Sequence, residues 1–166
     1  MGDESLVIEV GNRQRTQRIS ILAVRSLVQN VLAQLGKSGE IGIHLVGTAE
    51  MARVNWDYLR HEGSTDIITF DHGSTRGHLH GECFICVADA VRQALEFGTR
   101  WQEELGRYVI HGLLHLAGYD DLEPAARRVM KRREGALTRT LVQAARWQPD
   151  LPRPAKCPAG QRNRRG

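Results

Sequence analysis

The stretch HGLLHLAGYDD, residues 111–121, sets His111 and His115 four positions apart and follows them with Gly118, Asp120 and Asp121. Residues four apart on an α-helix share a face, so the two imidazoles would point at one spot. The helix carrying them is apolar nearly all round: Val109, Ile110, Leu113, Leu114, Leu116 and Ala117 leave little outward face. A helix of that kind is buried. Buried imidazoles need partners, because an unpaired polar group in a core costs about 1–3 kcal/mol. Two readings are open at this point. Each ring is a core histidine hydrogen-bonded to a nearby carbonyl or carboxylate, or the pair grips a metal ion.

The residues that follow favour the metal. Gly118 suits the left-handed position that ends a helix and lets the chain turn back. Asp121 then falls ten residues after His111. That is the ligand spacing of the metalloprotease pattern H-E-x-x-H-x-x-G-x-x-H, in which the turn returns a third ligand to the helical pair. Zinc accepts nitrogen and oxygen ligands, and three protein ligands leave a fourth position open to water, as in catalytic sites. Asp121 fits the third position better than Asp120, which is expected beside the set, holding a ligand in place. The protease pattern also needs glutamate after its first histidine, as general base. Gly112 stands there and takes no proton, so a peptidase would lack its main catalytic residue.

The elements that must position these groups are legible in outline. A strand is expected at 5–10, a helix at 16–35, a strand at 40–47, and a short helix from Thr48, its N-cap, to Leu59. DIITF (66–70) reads as a strand and DHGSTRGHLHG (71–81) as a glycine-rich connection. A strand at 82–88, a helix from Asp89 to Phe97, a long helix from Arg100 to Ala117 and a last helix from Glu123 to Ala145 complete the pattern. Three or four strands mixed with helices predict an α+β domain with a small mixed sheet of about four strands. Four of the five prolines lie at 149 or beyond. One domain is therefore expected over 1–147, with a disordered tail at 148–166.

The 166 residues suffice for one core, with 41% hydrophobic and 25% charged content. No signal peptide or membrane-length apolar run is recognisable, so a cytoplasmic setting is expected. Cys83 and Cys86 lie three apart on a strand-like run and point to opposite faces, so they read as core thiols, not a chelating pair. Cys157 in the tail says little. The net charge of +4 is unevenly spread, with residues 146–166 carrying +5 and the rest −1. Such an end suits a polyanion partner such as RNA, or is simply a solvated terminus.

Around the histidines the chain resembles the YbeY family of bacterial rRNA maturation factors, described as metal-dependent endoribonucleases. The family pattern H-G-x-L-H-L-x-G-Y-D-H is matched by H-G-L-L-H-L-A-G-Y-D-D. NWDYLRHEGSTDIITF (55–70) is similar to N-x-x-Y-R-x-x-D-x-P-T-D-V-L-S-F, and GECFIC (81–86) to the strand G-D-I-x-I-S. The resemblance spans about residues 40–145. It implies an α+β fold with one zinc at the end of a central helix, held by His111, His115 and Asp121. It also implies single-strand-specific cleavage of RNA in maturation of the small-subunit rRNA 3′ end and in ribosome quality control, with ribosome-associated proteins as further partners.

Two departures stand out. Asp121 replaces the family's third histidine, which would make the metal a weaker Lewis acid. Leu59 occupies the arginine position, with Arg60 one residue later, and the phosphate-stabilising role is carried over to Arg60. His61, Asp120 and the metal's own water are all candidates for general base. His78 and His80 read as a solvated loop pair or as the lining of an RNA groove. His44 and His72 have no evident partners, and the tryptophans read as packing residues. A second class of function is a ribosome-assembly or RNA-binding module in which zinc only fixes the fold; a fourth protein ligand would favour it.

Overall fold

The structure, a computed structural model, describes residues 5–145 and 147. The basic tail expected from 148 onward, with Cys157, lies outside them. The elements run β1 (Val7–Asn12), α1 (Ile21–Leu35), β2 (Ser38–Val46), α2 (Thr48–Leu59), β3 (Ile67–Asp71) and β4 (His78–Cys86). Then come α3 (Val87–Phe97), α4 (Trp101–Leu116) and α5 (Pro124–Leu137), the last passing into a π-helical turn at Thr138–Val142. The class is α+β, as expected. The sheet order is β1-β2-β4-β3, with β1, β2 and β4 parallel and β3 antiparallel to β4.

Strand alternation sorts the side chains onto two faces. Ile41, Ile43 and Leu45 of β2 and Leu79, Cys83 and Ile85 of β4 bury themselves against α1 and α4. Cys86 packs on the other face with Met51 and Val54 of α2, so the two cysteines diverge as the spacing predicted. α4 is the buried centre: Ile110, Leu113 and Leu114 are fully shielded from solvent. Each contributes about 1.5–3 kcal/mol by leaving water. At Gly112 α4 packs close against β3 and β4. A Cβ there would fall 2.6 Å from Cys83 Sγ and 2.9 Å from the Ile67 side chain. The glycine therefore brings the flanking His111 toward the exposed edge at β3. It also gives a packing reason why no glutamate stands at this position.

Local chemistry redraws three of the expected boundaries. The first helix starts at Ile21, not 16, because Ser20 Oγ accepts the Ala23 N–H at 3.2 Å and caps it. Before it, the Gln14 side-chain oxygen Oε1 accepts the N–H groups of Thr16 and Gln17, at 2.8 and 3.0 Å, and holds that stretch in a turn. The N-cap of α2 is Gly47, which makes no side-chain cap, and Thr48 is the first helical residue. β4 begins at His78, so His78 and His80 are strand residues opposite Ser38 and Glu40 of β2 rather than loop residues. No helix among the described residues is long and apolar enough to cross a membrane.

Candidate metal centre

The end of α4 folds as its sequence requires. Gly118 takes φ +96° and donates its N–H to the His115 carbonyl at 3.0 Å. The Tyr119 N–H reaches the Leu114 carbonyl at 3.0 Å. This pair of bonds closes the helix and reverses the chain. Arg127 then clamps the returning loop, donating from Nε to the Asp121 carbonyl at 2.8 Å and from Nη2 to the Leu122 carbonyl at 3.3 Å. Asp120 Oδ1 accepts the Leu122 N–H at 2.9 Å, so Asp120 shapes the loop while Asp121 faces inward.

The result is convergence. His111 Nε2 and His115 Nε2 stand 3.1 Å apart, and Asp121 Oδ2 lies 3.6 and 3.5 Å from them. One donor atom from each of the three falls within 4.8 Å of the others, and among the described residues this group has three members. Behind it, His111 Nδ1 lies 2.8 Å from Glu134 Oε2 of α5. An ionised carboxylate only accepts, so Nδ1 carries the hydrogen and Nε2 keeps its lone pair for the shared spot. Burial alone would lower the His111 pKa. The Glu134 hydrogen bond, with the charges of Glu134, Asp121 and Asp66, outweighs it and raises the value. The surroundings are therefore negative, and the C-terminal end of α4 adds to that potential. Two ring nitrogens and a carboxylate oxygen this close repel unless a proton or cation sits between them. The donor set fits a small divalent ion such as zinc.

Glu134 escaped the sequence reading, although a signal was present. It falls at 134 between Met130 and Leu137, the buried residues of α5, so a carboxylate interrupts an apolar stripe. Its side chain is 13% exposed. Asp66 was also missed. It shares with His111, His115, Asp121, Asp71 and Leu59 an open pocket of about 640 Å³ beside β3.

Arg60 does not line that pocket, whereas Leu59 does. α2 ends at Leu59, and Arg60 caps it with φ 54°, the only positive φ outside glycine among the described residues. Its guanidinium lies 5.7 Å from the centre of the Trp56 ring. Trp56 is 46% exposed, so it is not the packing residue expected, whereas Trp147 is buried. His61 is exposed beside Arg60. His44 and His72 do have a partner: their Nε2 atoms lie 2.8 Å from opposite oxygens of Glu82. His78 Nδ1 lies 3.3 Å from Ser38 Oγ, and His80 Nε2 lies 3.8 Å from Glu40.

Comparison with known proteins agrees with this geometry. The family model for endoribonuclease YbeY matches residues 9–142. The endoribonuclease YbeY of Chlorobium luteolum is 36% identical over 135 residues, covering 81% of this chain and 97% of that protein. That of Bacteroides thetaiotaomicron is 39% identical over 108 residues, covering 64% of this chain and 78% of the other. The solution structure of TM1509 from Thermotoga maritima superposes with a TM-score of 0.62 at 22% identity, covering 80% of this chain and 87% of that one. This last likeness concerns the fold alone. With the family model spanning most of its length, the chain belongs to the YbeY endoribonuclease family.

Proposed function

We propose that this chain is a zinc-dependent endoribonuclease that cuts single-stranded RNA, and that its substrate is rRNA, at the 3′ end of the small-subunit species. The observation that carries the reading is the meeting of His111, His115 and Asp121 at an open pocket, in a chain of this family. When bound, the ion supplies Lewis-acid polarisation of a phosphoryl oxygen and a more acidic water. His111, His115 and Asp121 hold it, and Glu134 fixes the tautomer of His111. Two further carboxylates line the pocket. Asp71 is tied to the N–H groups of Ser74 and Gly73, and those bonds lower its pKa, which makes it the poorer base. Asp66 is tied as well, its Oδ1 accepting the Ile67 N–H at 2.8 Å and the Thr65 hydroxyl at 3.3 Å. Arg60 offers the planar donor fork that a charged phosphate needs, provided it leaves the Trp56 ring.

A second reading keeps the metal and removes the chemistry. Leu59 lines the pocket where the family pattern has arginine, which favours an RNA-binding assembly factor whose zinc only stiffens the fold. One assay separates the two. Zinc-loaded protein, chelator-stripped protein and His111→Ala are each incubated with an unstructured RNA carrying the small-subunit 3′ sequence. The nuclease reading expects cleavage by the first alone. Binding without cleavage supports the assembly factor, and cleavage by stripped protein contradicts the mechanism.

A further inference from the structure

α5 meets the metal centre at two places. Arg127, Met130 and Glu134 lie three and then four positions apart, the spacing that sets side chains on one helix face. Met130, 1% exposed, anchors that face in the core. Glu134 closes on His111 Nδ1 at 2.8 Å. Two turns earlier, about 10 Å along the axis, Arg127 grips the loop that carries Asp121. The helix thus braces two members of the donor set, one through its ring and one through its backbone.

That loop has little else to hold it. Asp120, Leu122, Glu123 and Pro124 are exposed, Leu122 to 79%, so no buried apolar side chain pins them. Asp120 bonds within the loop, to the Leu122 N–H at 2.9 Å. Among the described residues no backbone N–H reaches the carbonyl of Asp121 or Leu122. The Arg127 guanidinium takes both, from Nε at 2.8 Å and from Nη2 at 3.3 Å. A planar fork of donors suits two acceptors side by side.

The length of the aspartate arm gives this grip its consequence. A carboxylate oxygen lies one bond nearer its main chain than the Nε2 of a histidine. Asp121 therefore meets the two imidazoles only while its backbone is drawn in close. Metal–ligand distances tolerate only about 0.2 Å of error, so a loosened loop costs affinity. Charge works in the other direction. A guanidinium beside the loop repels a cation, and removing it would by charge alone tighten metal binding.

We propose that Arg127 is a positioning residue of the metal centre, which fixes Asp121 for the ion through the carbonyls of its loop. The proposal rests on the ligand set named above and adds the residue that places its third arm.

A double-mutant cycle on zinc affinity tests it. Competition with chromophoric chelators is read on full-length wild type, Arg127→Ala, Asp121→Ala and the double variant, and Arg127→Lys is carried through the same cycle. Arg127→Ala should weaken zinc binding about tenfold. Arg127→Lys keeps the charge without the fork and should fall between. In the Asp121→Ala background the loss from either Arg127 variant should shrink to less than about twofold, because the residue it acts through is gone. A loss that persists undiminished in that background means general support of α5 and overturns the proposal. Affinity equal to or tighter than wild type in Arg127→Ala overturns it too, and leaves the ligand set standing if Asp121→Ala is weakened. Unchanged affinity in Asp121→Ala sinks the ligand set and this proposal together.

Discussion

Two clusters of histidine and carboxylate stand on opposite faces of the sheet, and the comparison separates a ligand set from a hydrogen-bond network. At the end of α4, three donor atoms turn toward one point, and the supporting carboxylate, Glu134, is behind His111 on its other nitrogen. On the α2 face, Glu82 lies between its histidines. His44 Nε2 and His72 Nε2 each spend themselves on one of its oxygens at 2.8 Å, and His44 stacks on Phe84 with ring centres 4.4 Å apart. The residue types are the same, but the order differs. In both clusters a carboxylate takes one ring nitrogen and leaves the other its lone pair; at the end of α4 that nitrogen, His111 Nε2, meets His115 and Asp121, whereas among the described residues no such ligand group forms around Glu82.

The largest effect should come from the first cluster. His111→Ala should abolish stoichiometric zinc binding and RNA cleavage together, while His72→Ala and His44→Ala leave zinc content unchanged in the same metal analysis. Loss of zinc in the His72 variant would erase the distinction. Next, Glu134→Ala should weaken zinc affinity by about 10–100-fold without removing a donor atom from the set. Glu134→Gln, which still accepts through its amide oxygen, should weaken it less. Competition with a chromophoric chelator reads both.

The second cluster should show itself in stability. Hydrogen bonds from His72 and then His44 lower the Glu82 pKa below its ordinary 4.5. A lowered folded-state value means that the ionised form stabilises the fold. That contribution is complete above the unfolded value and fades as pH falls through the folded one. Glu82→Gln should therefore lose at most about 1 kcal/mol near neutral pH, since the pair is half exposed. The gap from wild type should close below pH 4.5 in denaturant titrations. The smallest effect concerns Cys83, fully buried, with its thiol pushed up to about 12. Iodoacetamide at pH ~8 should leave it unlabelled in native protein and label it after unfolding, as mass spectrometry would show.

The parts of the molecule legible in sequence are those whose signal is local. The apolar surround of α4, the four-residue histidine spacing and the glycine at 118 all lie on one contiguous stretch, and the structure keeps them as read. Cys83 and Cys86 diverge because strand alternation is equally local. What escaped depends on contact between distant segments. Glu134 meets His111 across 23 positions, and Asp66 enters the pocket from the start of β3. His78 and His80 carry no apolar pattern, yet their backbone pairs with β2, and hydrogen bonding along a strand asks nothing of side-chain hydropathy. Ser20 and Gln14 redirected the start of α1 through side-chain bonds that periodicity does not register.

The most direct test of the account is X-ray absorption at the zinc edge, with metal content, on wild-type and Asp121→Ala protein. One zinc per chain is expected, with two imidazole nitrogens and carboxylate oxygen among its ligands, and a sharp loss of zinc in the variant. Substoichiometric zinc in the wild type, or full zinc with an unaltered spectrum in the variant, would contradict it.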